Sequence, residues 1–190
     1  TMTVPPLLVA PFDAELFGHW WFEGPAFLQE LFRQGPEQGV GFTRLRDVLT
    51  GAGQLQLCDP SPSSWGQGGY HNYWLNDTNA WVVPQWERAG EAMVRRCSQG
   101  VARESDLDLL RQAARELLLS QSSDWSFILR AGTTTGLARE RIERHLERFW
   151  RLITAIDERQ DLPAEWLDNV RRDDRLFPLI QPLDWAKAGA

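Results

Sequence analysis

Cysteine is scarce in this 190-residue chain; Cys58 and Cys97 are the only two. That excludes a disulfide framework and a cysteine-rich metal centre. His19, His71 and His145 lack zinc-ligand spacing as well. No block of basic residues stands clear of acids, and the formal net charge is −6. Nucleic acid and anionic membrane surfaces are therefore excluded as partners. No apolar run approaches a membrane span and no charged-then-apolar leader opens the chain, so the expected setting is the cytoplasm, with reduced thiols. Thr1 ahead of Met2 reads as a tag remnant or a cut end. Internal repeats and low-complexity segments are missing as well.

Tryptophan is what the chain has in excess, ten residues against two tyrosines. Most tryptophans pack in or near a core. A group of aromatics in SPSSWGQGGYHNYWLND, residues 61–77, instead lies on a Ser/Gly-rich loop with no apolar pattern to join. The flat apolar faces of sugar rings stack on indole, and sugar hydroxyls reach for neighbouring polar groups.

Two short apolar runs suggest strands. Leu7–Ala10, bounded by prolines, fits a strand buried on both faces, and QLQLCDP, residues 54–60, fits a second. A helical pattern runs between them from Glu15 to Gln34, broken at Gly24-Pro25, and an amphipathic piece follows in FTRLRDVLTGAG. Residues 1–60 thus approximate one βαβ unit, too little to close a sheet or barrel. From Pro84 the pattern is helical. One stripe is Trp86, Ala89, Met93 and Cys97, and a second is Leu107, Leu110, Ala114, Leu117 and Leu118. A third is Ile142, Leu146, Phe149, Ile153 and Ile156, with Glu140–Arg144 and Glu147–Arg151 spaced for i,i+4 pairs. The mixed run RESDLDLLRQAARE reads as a solvated helix face. Pro163 opens a further short helix, and the tail RLFPLIQPLDW reads as extended and packed. The expected class is mainly α: a βα fragment over residues 1–60, then a helical domain over 61–190.

Asp13 stands just past the first apolar run, where barrel enzymes place catalytic groups. Position alone favours a second role, capping the helix that starts near Glu15. Glu15 and Glu23 are poorly placed to face Asp13 across a sugar and read as helix-surface acids. Trp20 and Trp21 point about 100° apart on a helix, so one packs while the other, or His19, faces a cleft. His145 reads as packed between helices.

The segment PFDAELFGHWWFEGP strongly resembles a conserved region of glycoside hydrolase family 57, specifically its α-1,4-glucan branching enzymes. SSWGQGGYHNYWLN, QSSDWSFIL, GTTTGLARERIERHLERFWRL and LFPLI resemble the C-terminal helical region of that group, in order and over essentially the whole chain. The resemblance implies that Asp13 is the general acid/base of a retaining transfer. Trp65 and Trp74 match cleft-overhanging aromatics, and Asp124 a polar position near the same cleft; His19 and Trp21 join them as expected substrate-binding residues. It implies an α-1,4-glucan substrate, no metal or organic cofactor, and a glutamate nucleophile on a preceding barrel portion, outside this sequence. The chain alone is then expected to be inactive. An incomplete barrel edge should also dock on that portion, or self-associate, through residues 5–10, 25–34 and 42–57. The alternative is a non-catalytic glucan-binding or partner-docking helical module.

Overall fold

The apolar stripes form helices at the spacing they predict. The computed structural model describes residues 6–51, 57–100 and 103–189. It divides into two units, Thr1–Pro60 and Ser61–Ala190. In the second, α3 (Val83–Ser98), α4 (Glu104–Ser120), α5 (Ser123–Ala131), α6 (Thr135–Asp157) and α7 (Ala164–Asp173) surround one core. Pro84 sits in the first turn of α3, where a missing N–H costs nothing. Gly132 takes a left-handed conformation and ends α5, its N–H bonded to Ile128 O.

The most extensive packing is between α4 and α6. Leu110 and Leu117 of α4 meet Ile142, Phe149 and Leu152 of α6 in the core, with Met93 and Cys97 of α3. Each such side chain contributes about 1.5–3 kcal/mol by leaving water. Burial also pushes the Cys97 thiol up to about 11, so it is inert at neutral pH, while Cys58 is exposed and free. None of the ten tryptophans is fully buried. Trp81, Trp86, Trp125, Trp166 and Trp185 pack against the outside of the core, and Trp20, Trp65 and Trp150 are exposed.

The first unit holds α1 (Gly24–Gln34) and α2 (Leu45–Gly51). Among its described residues only Gly24 and Gly35 are buried. Leu8 is 90% and Leu57 97% exposed, and Phe12, Phe22, Phe32, Leu45 and Leu49 are also open to solvent. Its described residues form no core of their own.

Several expectations are corrected. The predicted strand at Leu7–Ala10 does not form, and among the described residues no strand lies beside it to complete its hydrogen bonds. Of the second, residues 54–56 lie outside the described residues, and 57–60 carry no regular structure. The single bridge among the described residues joins Phe17 and Trp21. Gly24-Pro25 opens α1 rather than breaking a helix, since proline suits a first turn. The break falls earlier, at Gly18, whose φ of 97° is a conformation that side-chain-bearing residues resist. The tail ends in a 3-10 stretch, Pro182–Gly189, packed on α3. The charged run of α4 is not wholly solvated, for Asp106, Gln112 and Glu116 are buried. Arg144 pairs with Glu140 at 3.5 Å, whereas Arg151 lies over the Trp166 ring, 4.1 Å from its centroid.

Candidate functional site

Residues 64–79 fold as a loop tied by its own polar groups. Ser64 Oγ donates to Tyr70 O at 2.6 Å and accepts from Gly66 N at 3.1 Å, and Ser64 N donates to Gly69 O. Two 3-10 turns follow, Gln67–Gly69 and His71–Tyr73. Asn76 then ties the loop back, its amide donating to Asn72 O and Tyr73 O. Buried Asn79 accepts from Asn76 N at 2.8 Å and donates to Ser126 O on α5 at 3.5 Å.

That framework places aromatics around a cavity of about 230 Å³ lined by Trp65, Gly66, Gln67, Tyr73, Trp74 and Phe127. Tyr73 and Phe127 have ring centroids 4.9 Å apart, and Trp74 lies 6.4 Å from Phe127. Trp65 is 82% exposed at this cavity while Trp74 is half-buried. An exposed indole beside packed rings and a glutamine amide suits stacking on a sugar face, with polar contacts to its hydroxyls. Asp124 is exposed and accepts from Ser122 Oγ at 2.8 Å. It lies one turn before Phe127 on α5, so the helix presents both on neighbouring positions.

Gly66 is where this loop tolerates least. A Cβ there would lie 2.5 Å from Tyr70 O and 3.0 Å from Trp74 Nε1. Gly66→Ala is expected to unseat Trp74, read as a shift of the tryptophan emission maximum and a fall in Tm. An unchanged spectrum and Tm would mean that the loop accommodates the added methyl.

Asp13 lies in the first unit and is exposed. Its Oδ1 accepts from Glu15 N at 2.9 Å, an Asx turn that satisfies the backbone just ahead of one wide turn over Leu16–Trp20, whose own N-cap position is Glu15. One carboxylate oxygen is thus committed to the backbone and the other is not. Glu15 Oε1 accepts from Trp20 Nε1 at 3.2 Å and lies 3.8 Å from His19 Nε2, so His19 is positioned by an acid beside it. Trp21 is half-buried between Phe17 and Phe27, with centroids 5.8 and 5.0 Å away. Trp20 is the more open of the two indoles, 73% exposed with its N–H held by Glu15.

The C-terminal model of 1,4-alpha-glucan branching enzymes matches residues 85–185. The chain belongs to that family. It is 34% identical to the 1,4-alpha-glucan branching enzyme of Thermococcus kodakarensis over 148 residues, 77% of this chain and 22% of that protein. A probable 1,4-alpha-glucan branching enzyme of Mycobacterium tuberculosis is 30% identical over 181 residues, 91% of this chain and 34% of its own length. The crystal structure of a GH57-type branching enzyme from Pyrococcus horikoshii is similar at a TM-score of 0.78 and 31% identity, covering 93% of this chain and 34% of that one. The GH57 branching enzyme of Thermococcus kodakarensis, solved with glucose, is similar at a TM-score of 0.77. This branching-enzyme chain therefore spans about a third or less of the length of the relatives it matches.

A second polar constellation sits in its helical core. His145 Nδ1 and Glu116 Oε2 share a hydrogen bond of 2.7 Å, and Asp174 Oδ2 lies 3.7 Å from the same nitrogen. The three could in principle hold a cation, their ligand atoms falling within 4.8 Å of one another. Each is already engaged, however. Gln112 Nε2 donates to Glu116 Oε1 at 2.8 Å, and Arg148 donates to Asp174. A metal would have to displace a guanidinium, so the cluster reads as a buried ion network joining α4, α6 and the end of α7. The spacing of His145 implied packing between helices; nothing in the sequence paired it with Glu116, 29 residues away.

Proposed function

We propose that this chain is the part of a retaining 1,4-alpha-glucan branching enzyme that supplies the acid/base carboxylate and an aromatic wall for the glucan. In such a transfer a nucleophilic carboxylate, here placed outside these 190 residues, attacks the anomeric carbon of an α-1,4 bond. Asp13 donates its proton to the departing O4, and a covalent glycosyl ester forms. Asp13, now ionised, takes the proton from the 6-hydroxyl of an acceptor glucan as that oxygen displaces the ester, giving an α-1,6 branch. On this reading the chain by itself transfers nothing, and the exposed apolar side chains of the first unit seat the rest of the barrel.

The observation that carries the reading is the exposed Trp65 at an aromatic cavity, on a loop of a chain belonging to the branching-enzyme family. Maltoheptaose titrated into the chain should quench tryptophan fluorescence. Trp65→Ala should weaken binding by about tenfold. Equal affinity of parent and variant would remove the wall from the reading. The non-catalytic alternative has its own support: every residue lining the aromatic cavity belongs to the second unit, without Asp13. It predicts glucan binding with no gain of branching when a barrel portion is added.

A further inference from the structure

The chain carries more acids than bases, yet four of its nineteen arginines line one concavity. A cavity of about 430 Å³ is lined by Arg111 and Arg115 of α4, Arg171 of α7 and Arg175 just beyond it, with Asp108 and Gln112. Asp108 is the single carboxylate among these, and it is already engaged: Arg111 Nη1 donates to its Oδ1 at 2.9 Å. Arg115 is held by neutral acceptors, its Nε donating to Leu176 O at 2.8 Å and its Nη1 to Gln112 Oε1 at 3.1 Å. Arg171 and Arg175 make no ion pair or side-chain hydrogen bond with any described residue. Three guanidiniums without a counter-charge thus line one concavity, and one of them is fixed from two sides.

Like charges gathered on a concave surface repel, and an anion that enters relieves all of them at once. A phosphate monoester carries about −1.5 to −2 charges near neutral pH, with oxygens that match the guanidinium fork. The concavity is open to solvent, and at about 430 Å³ it has room for more than a bare ion. We propose that this arginine-lined cavity binds a phosphate group, free or as the monoester of a small sugar. The site shares no lining residue with the aromatic cavity and does not depend on the glucan reading. Gln112 connects it to the core, since its amide also donates to buried Glu116, so occupancy should register in the stability of the helical unit.

The test is a titration of glucose 1-phosphate and of inorganic phosphate, read by ³¹P line broadening and by Tm. Parent protein is compared with the double variant Arg171→Ser/Arg175→Ser, whose replaced side chains are exposed and unpaired, so folding should be kept. Glucose 1-phosphate is expected to broaden and to raise Tm with the parent. Its dissociation constant should rise about tenfold or more in the double variant, and binding should weaken with added chloride. Equal affinity for inorganic phosphate would support a site that reads phosphate alone, and weaker affinity would support one that reads the sugar too. Absence of broadening at millimolar glucose 1-phosphate, or equal broadening with the variant, would overturn the proposal. Trp65→Ala should bind glucose 1-phosphate as the parent does, which keeps failure of the aromatic wall separate from failure of this site.

Discussion

Asp13→Asn, in this chain combined with the barrel portion of a related branching enzyme, is expected to lower α-1,6 branch formation on amylose by about 10²–10⁴-fold. Asparagine has the same shape but neither gives nor takes a proton in this range. Its Oδ1 can still accept from Glu15 N, the one hydrogen bond the Asp13 side chain makes among the described residues. The variant therefore keeps that hydrogen bond and removes the ionisable carboxyl, and its Tm should stay within about 1 °C of the parent. Asp13→Ala removes both and should lose activity together with about 0.5–2 kcal/mol of local stability. A glucoside with a leaving group that needs no protonation should recover much of the first step in Asp13→Asn, but not the second, where a base is required. Asp13→Asn retaining most of its branching activity would leave Asp13 with its backbone hydrogen bond alone.

Glu116→Leu is expected to cost about 3–5 kcal/mol, a large share of the stability of any domain of this size. Its carboxyl accepts from Gln112 Nε2 and shares a hydrogen bond with the His145 ring, all of it buried. Leucine would strand both partners away from water. Glu116→Gln is milder: the amide keeps an acceptor for Gln112 and alters only the bond to His145, at about 1–3 kcal/mol. Denaturant unfolding followed by circular dichroism reads both values.

The pH dependence supplies a separate signature. Burial pushes the Glu116 carboxyl above its ordinary value of 4.5, against the opposing pull of His145 and Gln112. The native state then holds that proton to higher pH than the unfolded chain does. The contribution from Glu116 is fully present below about 4.5 and is lost as pH rises through the folded-state value. Asp106 works in the opposite sense, because the Arg103 guanidinium holds its carboxyl below the ordinary 3.8. Its stabilisation is present above 3.8 and is lost as pH falls through the lower folded-state value. Subtracting the Glu116→Gln curve from the parent isolates the first effect. A difference that does not change above pH 4.5 would show that Glu116 titrates as in the unfolded chain.

Much of the helical unit was legible from spacing alone. Ile142, Leu146, Phe149, Ile153 and Ile156 recur at helical intervals and are all buried. The aromatic loop was legible too, because rings on a polar, glycine-rich segment have no apolar stripe to join. Phe127 was harder to place. It belongs to an apolar stretch of α5 and reaches the cavity because Asn79, Tyr73 and Trp74 bring the loop against that helix. The strand expected at Leu7–Ala10 shows a different limit: an apolar run can specify a willingness to pair but not a neighbour.

By itself, then, the sequence determined the local and the repetitive: where the helices run, which of their faces are apolar, and which loop carries rings. These depend on residues within a turn or two of one another, and periodicity records them directly. Tertiary structure alone decided the pairings between distant positions. It buried Glu116 against His145, stacked Arg151 on Trp166, left Trp20 open while closing Trp21 between two phenylalanines, and gathered four arginines from two segments around one cavity. A charge is read as solvated until a partner from another element removes it from water. That partner is set by how helices pack in three dimensions, which no single stretch of residues contains.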